Sequence, residues 1–215
     1  MNLDGFNRRV RNLCGDRDGV LLESEITLDW ANDGQEEIAK TIKCLVGTHP
    51  VDLVTGDAEY SLPVDWVEPI AAFETVSKTK LYPVDYVTLE RSVPDWRKAT
   101  GTPYLYFFRN NSVGLYPVPN FDSSAYISIE YYRLPVAVSD PGNVFEIPEY
   151  ACKTLVEYGL WRAKEFLEDY EAAGYYKDAY NFKLLHNIEE AQNSSTYPVI
   201  QDVDSDYSWN LGSDA

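Results

Sequence analysis

The sequence has 215 residues, of which 45% are hydrophobic and 25% are charged, and this ordinary balance indicates a globular protein with a buried core. Its formal net charge of −17, from 35 acidic and 18 basic residues, disfavours broad binding to nucleic-acid phosphates or to an anionic membrane surface. The sequence shows neither a signal peptide nor a run approaching the ~18 apolar residues that a bilayer span requires, so we expect a cytosol-like compartment.

Aromatic residues make up 14% of the chain, and the sequence contains 17 Tyr. Because Tyr combines a large contact area with a polar tip, this composition favours either extensive interfaces or a β-rich body. The three cysteines are scattered without a CxxC pair, which indicates reduced thiols rather than a disulfide framework or a zinc site.

Two helices are predicted at the N-terminus. Asp4 can cap the first, over residues 4–14, where apolar residues recur at helical spacing. Ser24 begins the second, whose apolar stripe extends to Leu45. Gly34 in the middle of this helix costs roughly 1 kcal/mol relative to Ala. Either a neighbour therefore packs closely at Gly34 or the helix is bent. Residues 47–50 end the helical part.

From residue 51 to residue 138 the apolar pattern changes to a period of two, which is typical of strands. Residues 94–119 form the centre of this region, with a turn at Gly101 and Pro103, a hairpin at Asn110 and Asn111, and a stop at Pro117. The short strands suggest a small sandwich or a partly closed barrel. The predicted strands cover residues 51–54, 60–62, 67–75, 81–90, 104–109, 113–116 and 125–134.

Two further helices and a tail complete the chain. Pro148 and Glu149 open a third helix with one apolar face, because Pro suits the first helical position and Glu complements the helix dipole. A fourth helix is predicted over residues 170–192, with Ala173, Tyr180 and Ile188 on one side, and the short connection makes these two helices an antiparallel pair. Residues from 196 onwards show no periodicity and indicate an extended tail.

These elements predict an α+β fold in which the N- and C-terminal helical pairs form a four-helix bundle with an inserted antiparallel β module. The predicted domains are a discontinuous helical bundle (residues 1–47 plus 147–193), the inserted β module (48–146) and the extended C-terminal tail (194–215).

The polar residues do not form a recognisable catalytic or metal-binding set. Carboxylate pairs such as Glu36 and Glu37 are typical of solvated helix faces in so acidic a chain. Neither of the two His residues has a Glu three positions before it, as a di-metal bundle requires. The alternating Asp run at 202–206 lacks the Gly and the bidentate Glu of a calcium loop. We therefore predict no enzyme activity, no cofactor and no metal.

The tail carries the one sharp binding feature of the sequence. It holds apolar anchors that an extended segment cannot bury by itself, and such a segment typically becomes ordered on a partner. We predict that these anchors bind a partner protein; they are Tyr197, Ile200, Tyr207, Trp209 and Leu211.

Several short motifs resemble those of the head-to-tail adaptor (connector) proteins of tailed bacteriophages. A YxLPxD segment lies at residues 60–65, a PDW…TGTP segment at 94–103 and an LYPVP strand end at 115–119. Residues 30–33 are similar to part of the family's first long helix, with Gly34 near a usual Ala. The resemblance extends over about residues 20 to 192 and rests on the shared order of the motifs.

This resemblance implies a helical bundle with an inserted β module and a structural role in the virion. Family members form a ring, usually of twelve subunits, which sits under the portal of the phage head, joins it to the tail or nozzle proteins and lines the DNA exit channel. The expected location is the head–tail junction, after synthesis in the bacterial host cytoplasm. Negative charge in the lumen would let DNA slide without binding. The resemblance also implies that the tail anchors reach the portal.

Two alternatives remain open from the residues alone. A β-sandwich tail component that binds glycans or receptors would present a Trp/Tyr platform with nearby Asp or Asn. A cell-wall hydrolase would need two carboxylates about 5–9 Å apart in a cleft.

Overall fold

The computed structural model describes residues 1–194, and the side chains of residues 1–191. Five α-helices occur in this part of the chain: α1 Leu3–Cys14, α2 Ser24–Ile42, α3 Tyr86–Ser92, α4 Glu149–Phe166 and α5 Tyr170–Ser194. The strands are β1 Val46–Leu53, β2 Glu59–Ser61, β3 Trp66–Glu74, β4 Lys80–Pro83, β5 Thr100–Gly101, β6 Leu105–Arg109, β7 Ser112–Tyr116, β8 Val118–Pro119 and β9 Ser123–Arg133.

Seven of the strands form one mixed, nearly closed sheet in the order β1-β9-β3-β4-β6-β7-β2. All neighbours in it are antiparallel except β4 and β6, which run parallel. Strands β5 and β8 form a separate parallel pair. The long strand β9 is paired on both sides, and its Ile127 and Ile129 lie at the centre of the sheet's hydrophobic core.

The parallel pairing of β4 with β6 arises from a helix that the sequence analysis missed. Residues 81–90 were predicted as one strand, but β4 ends at Pro83 and α3 begins at Tyr86. Asp85 caps α3, because its carboxylate accepts a hydrogen bond from the Thr88 amide at 2.9 Å. Helix α3 carries the chain back across the sheet, so β6 pairs with β4 in the same direction.

The second hydrophobic core lies among the helices. It contains buried residues of α1, α2, α4 and α5, and it also takes Val138, Phe145 and Ile147 from the irregular segment before α4. The side chain of Asn32 on α2 fixes this segment, because its amide donates to the Val138 carbonyl (3.0 Å) and its carbonyl accepts from the Val138 amide (2.9 Å). The core is therefore closed partly by a loop.

The prediction of a four-helix bundle with a small inserted antiparallel module is wrong. The described chain has five helices and a large, mixed, nearly closed sheet, and α3 belongs to the sheet side of the molecule. Of the two β architectures left open, a partly closed barrel comes nearer to this sheet than a sandwich does. The domain division at residues 47, 146 and 193 stays a prediction.

Two local predictions at the element ends also need correction. The cap of α1 is Asn2 rather than Asp4, because the Asn2 side chain accepts a hydrogen bond from the Gly5 amide at 3.0 Å. Strand β1 begins at Val46, so Gly47 and Pro50 lie inside a strand instead of ending the helical region. Pro is tolerated there because β1 is at the edge of the sheet.

Residues 94–119 form a third small core against the sheet. Trp96 and Phe107 are fully buried and meet edge to face, with ring centroids 5.2 Å apart. The predicted hairpin between β6 and β7 is confirmed, with Asn110 at its turn in the left-handed conformation (φ 53°). None of the helices in residues 1–194 is long and apolar enough to cross a membrane.

Candidate assembly surfaces

Helix α5 has two apolar faces, and the structure buries one of them. Tyr175, Phe182 and Leu185 point away from the protein and are 70%, 75% and 64% exposed. They are separated by seven and three positions, so at about 100° per residue they lie within one narrow arc. We call these three residues, with Asp178 between them, the α5 outer face. An apolar stripe on each side of a helix is typical of one that has neighbours on both sides.

The inner face of α5 is held firmly by α2 and α4. Tyr180 is 1% exposed, packs against the rings of Tyr158 and Trp161, and donates a hydrogen bond to Glu37 at 2.9 Å. Burial and this carboxylate raise the pKa of Tyr180. Asn187 is buried and donates to Thr154 at 2.7 Å. The predicted inner side of this helix is confirmed, whereas its second apolar set was missed although the spacing was present in the sequence.

On α1 the exposed side carries two arginines and one acidic residue, Asp4. Phe6 and Val10 are fully buried against Gly159 of α4, so Arg8 and Arg9 lie in solvent together with Asn12. Within residues 1–194 neither Arg8 nor Arg9 makes an ion pair. We call Arg8, Arg9 and Asn12 the α1 outer face.

The loop that follows α1 is rigid and presents apolar side chains. The buried carboxylate of Asp16 accepts hydrogen bonds from the amides of Val20, Leu21 and Leu22 at 2.8–3.2 Å, and these bonds lower its pKa. The Arg11 guanidinium donates to the Leu22 carbonyl at 2.8 and 3.1 Å. Val20 and Leu21 are exposed at the top of this loop. The role of Asp16 was not predicted, because nothing in the sequence marks it as a buried acceptor.

Helix α2 carries an acidic stripe. Glu25, Asp29 and Asp33 follow one another at four-residue spacing on exposed positions, and Glu36 continues the row. Like charges at this spacing repel, at about 0.2–0.5 kcal/mol per pair. Of these four acidic residues, only Glu36 has an ion-pair partner among the described residues, namely Lys40 at 2.6 Å. We call these four residues the α2 acidic stripe.

No metal-binding cluster is found in the described part of the chain. It has no group of three or more His, Cys, Asp or Glu side chains that could hold a metal ion. Burial raises the pKa of all three cysteine thiols, that of Cys44 to about 11, so they are poor nucleophiles. The tail residues predicted to bind a partner lie outside the described residues; they are Tyr197, Ile200, Tyr207, Trp209 and Leu211.

The comparison with protein families decides what kind of protein presents these surfaces. The family model of the SU10 adaptor protein matches residues 1–202, which is nearly the whole chain. The chain belongs to the SU10 adaptor protein family. No curated protein matches it.

This membership confirms the resemblance to phage head-to-tail adaptors. The SU10 adaptor proteins are structural components of the phage, associated with portal and tail components at the head–tail junction, and the family is not an enzyme class. The functional surfaces of such a protein are the ones that contact other proteins. The outer faces of α1 and α5 are exposed and therefore accessible to such contacts.

Proposed function

We propose that this SU10 adaptor protein forms a homo-oligomeric ring, of about twelve subunits by the resemblance drawn from its sequence, beneath the portal of the phage head. The ring joins the portal to tail or nozzle proteins and lines the channel through which DNA leaves. DNA passes through it without specific binding.

The observation that carries this proposal is the α5 outer face. Three large apolar side chains, each more than 60% exposed, leave an apolar strip in water, interrupted by Asp178, on a helix whose other face is already packed. Exposed apolar strips of this kind mark protein–protein contact sites. A subunit interface would bury the strip and remove its hydration cost.

The charge of the chain supports the channel. With a net charge of −17, most surfaces of an assembled ring repel a polyanion. The α2 acidic stripe places four carboxylates in a row, and only Glu36 among them is paired with a cation in the described residues. We propose that this stripe faces the channel, where repulsion keeps DNA from adhering.

The tail is proposed as the contact to the portal. Its aromatic and aliphatic residues are the kind that anchor a segment in a partner's groove. The proposal covers Tyr197, Ile200, Tyr207, Trp209 and Leu211. Family membership favours this structural role over a glycan-binding tail module.

The test is to mix the purified protein with portal rings and to image the product by electron microscopy. We expect a complex with rotational symmetry in which this protein adds a collar below the portal. Phe182→Asp should prevent the collar, whereas Val64→Asp, at a fully exposed valine between β2 and β3, should leave it intact. Wild-type protein that never forms a symmetric complex, while heads lacking it still join tails, would contradict the proposal.

A separate variant tests the tail. Deletion of residues 196–215 should weaken portal binding measured by surface plasmon resonance. Unchanged affinity for the portal would remove the tail as the anchor and leave the ring itself unaffected.

A further inference from the structure

The outer faces of α1 and α5 point in opposite directions across the helical core. Gly159 of α4 packs against Phe6 and Val10 of α1, whereas Glu157, two positions earlier, pairs with Lys183 of α5. Two positions on an α-helix are about 200° apart. Helices α1 and α5 therefore pack on opposite sides of α4, and their solvent-facing sides form opposite flanks of the molecule.

The two faces are complementary in charge. The lysines of α5 are used internally, because Lys183 pairs with Glu157 and Lys177 lies over the ring of Trp161 at 4.8 Å. The outward arc of α5 is left with carboxylates, among them Asp178, which makes no ion pair within residues 1–194. On the other flank, Arg8 and Arg9 are equally without partners in the described residues, and the exposed Asp4, one turn before Arg8, leaves this flank with one net positive charge.

The two faces also agree in chemistry. Arg stacks on aromatic rings and pairs with carboxylates at once, and the α5 outer face offers Tyr175 and Phe182 on either side of Asp178.

We propose that the α1 outer face of one copy docks on the α5 outer face of the next copy of this chain. The contact is heterologous, since it joins two different surfaces, and repetition of a heterologous contact closes a ring or continues as a filament. This inference rests on the proposed ring function, to which it adds the two surfaces that form each subunit contact. Asn12 and the exposed Leu13 at the end of α1 extend the contact beyond the two arginines.

Two variants, each with one altered face, test the contact directly. R8E/R9E reverses the charge of the α1 outer face, and F182D places a charge in the α5 outer face. Both changes are at exposed positions, so circular dichroism and thermal melting should show wild-type folding. Arg91→Glu, at another exposed arginine without an ion pair in the described residues, is the matched control.

Sedimentation velocity is then measured at a concentration where the wild-type protein assembles. Each variant alone should associate at least roughly tenfold more weakly than wild type, because R8E/R9E brings like charges together opposite Asp178 and F182D removes the aromatic ring that the contact would bury. An equimolar mixture should form a 1:1 dimer that grows no further, since only one intact pair of faces remains. Arg91→Glu should assemble like wild type, and wild-type assembly should weaken as salt rises.

The outcomes separate this inference from the proposed function. If wild type and R8E/R9E assemble equally, the pairing of these faces is overturned. The same holds if the equimolar mixture stays monomeric. Neither result contradicts the proposed ring. Wild-type protein that remains monomeric both alone and with portal rings overturns the ring and the pairing together. If assembly requires the portal, the number of copies bound per portal ring replaces the sedimentation coefficient as the readout.

Discussion

Gly34 on α2 provides the sharpest test of how the helical core is packed. A Cβ at this position would lie 2.7 Å from Leu155 Cδ1 and 2.7 Å from Tyr158 Cδ1, both on α4. Of the two explanations offered for this glycine, the close neighbour is therefore the one observed. Gly34→Ala gains about 0.8–1.0 kcal/mol from helix propensity, but it forces apart two packed helices, which costs about 1–3 kcal/mol.

We expect Gly34→Ala to lower the free energy of unfolding by about 1 kcal/mol, or the melting temperature by roughly 2–4 °C in a chain of this size. Gly174→Ala on α5 is the matched control, because a Cβ there meets nothing within 4 Å. This control should raise the free energy of unfolding by about 0.5–1 kcal/mol. Urea unfolding followed by circular dichroism measures both, and equal stabilisation by the two substitutions would refute the close α2–α4 contact.

Three further predictions follow from single contacts. Tyr180→Phe removes the hydrogen bond to Glu37 and should lower the free energy of unfolding by about 1 kcal/mol in urea titrations; an unchanged value would show that the bond contributes nothing. Gly114→Ala should cost about 3 kcal/mol in the same assay, because its Cβ would overlap the ring of Phe107; near-neutral behaviour would contradict this register of the hairpin. The pKa of Asp16 is lowered by backbone hydrogen bonds, so its contribution to stability is complete above its ordinary pKa near 4 and is lost as the pH falls through the lowered value. Thermal melts of Asp16→Asn from pH 7 to pH 2 should therefore show a smaller loss of stability than wild type, and parallel curves would contradict the shift.

The periodicity of the sequence predicts the long helices well, because each has one face that only a core can accept. The apolar residues of α4 recur at three- and four-residue spacing, and the structure buries most of them, whereas Phe166 at the end of the helix is 50% exposed. The strand period also finds β9, whose alternate residues Ile127 and Ile129 face the core.

The same reasoning fails where two signals overlap. Helix α3 is seven residues long, too short for its periodicity to outweigh the β-branched and aromatic residues around it, and its start depends on the Asp85 cap. Gly47 reads as a helix stop, but its missing Cβ makes room for the ring of Tyr131, which a Cβ would approach to 2.8 Å. Such uses of glycine depend on neighbours remote in sequence.

The candidate surfaces were largely invisible to the sequence reasoning. Sequence patterns assign the apolar residues of a helix to a buried core. One apolar face of α5 is enough to satisfy that expectation, so the exposure of Phe182 and Leu185 becomes known only from the structure. Family membership could be predicted from the order of short motifs at turns and strand ends, and the family model confirms it.

The central position of α4 has a mechanical consequence. In the proposed ring, tension between neighbouring subunits enters each subunit through α1 and leaves through α5, and α4 is the element that both helices press against. Gly159 lets α1 approach closely, and Gly34 does the same for α2, so the load passes through close-packed contacts with little slack. If the proposed ring forms, such contacts would make it resist widening and would hold its opening at a constant diameter.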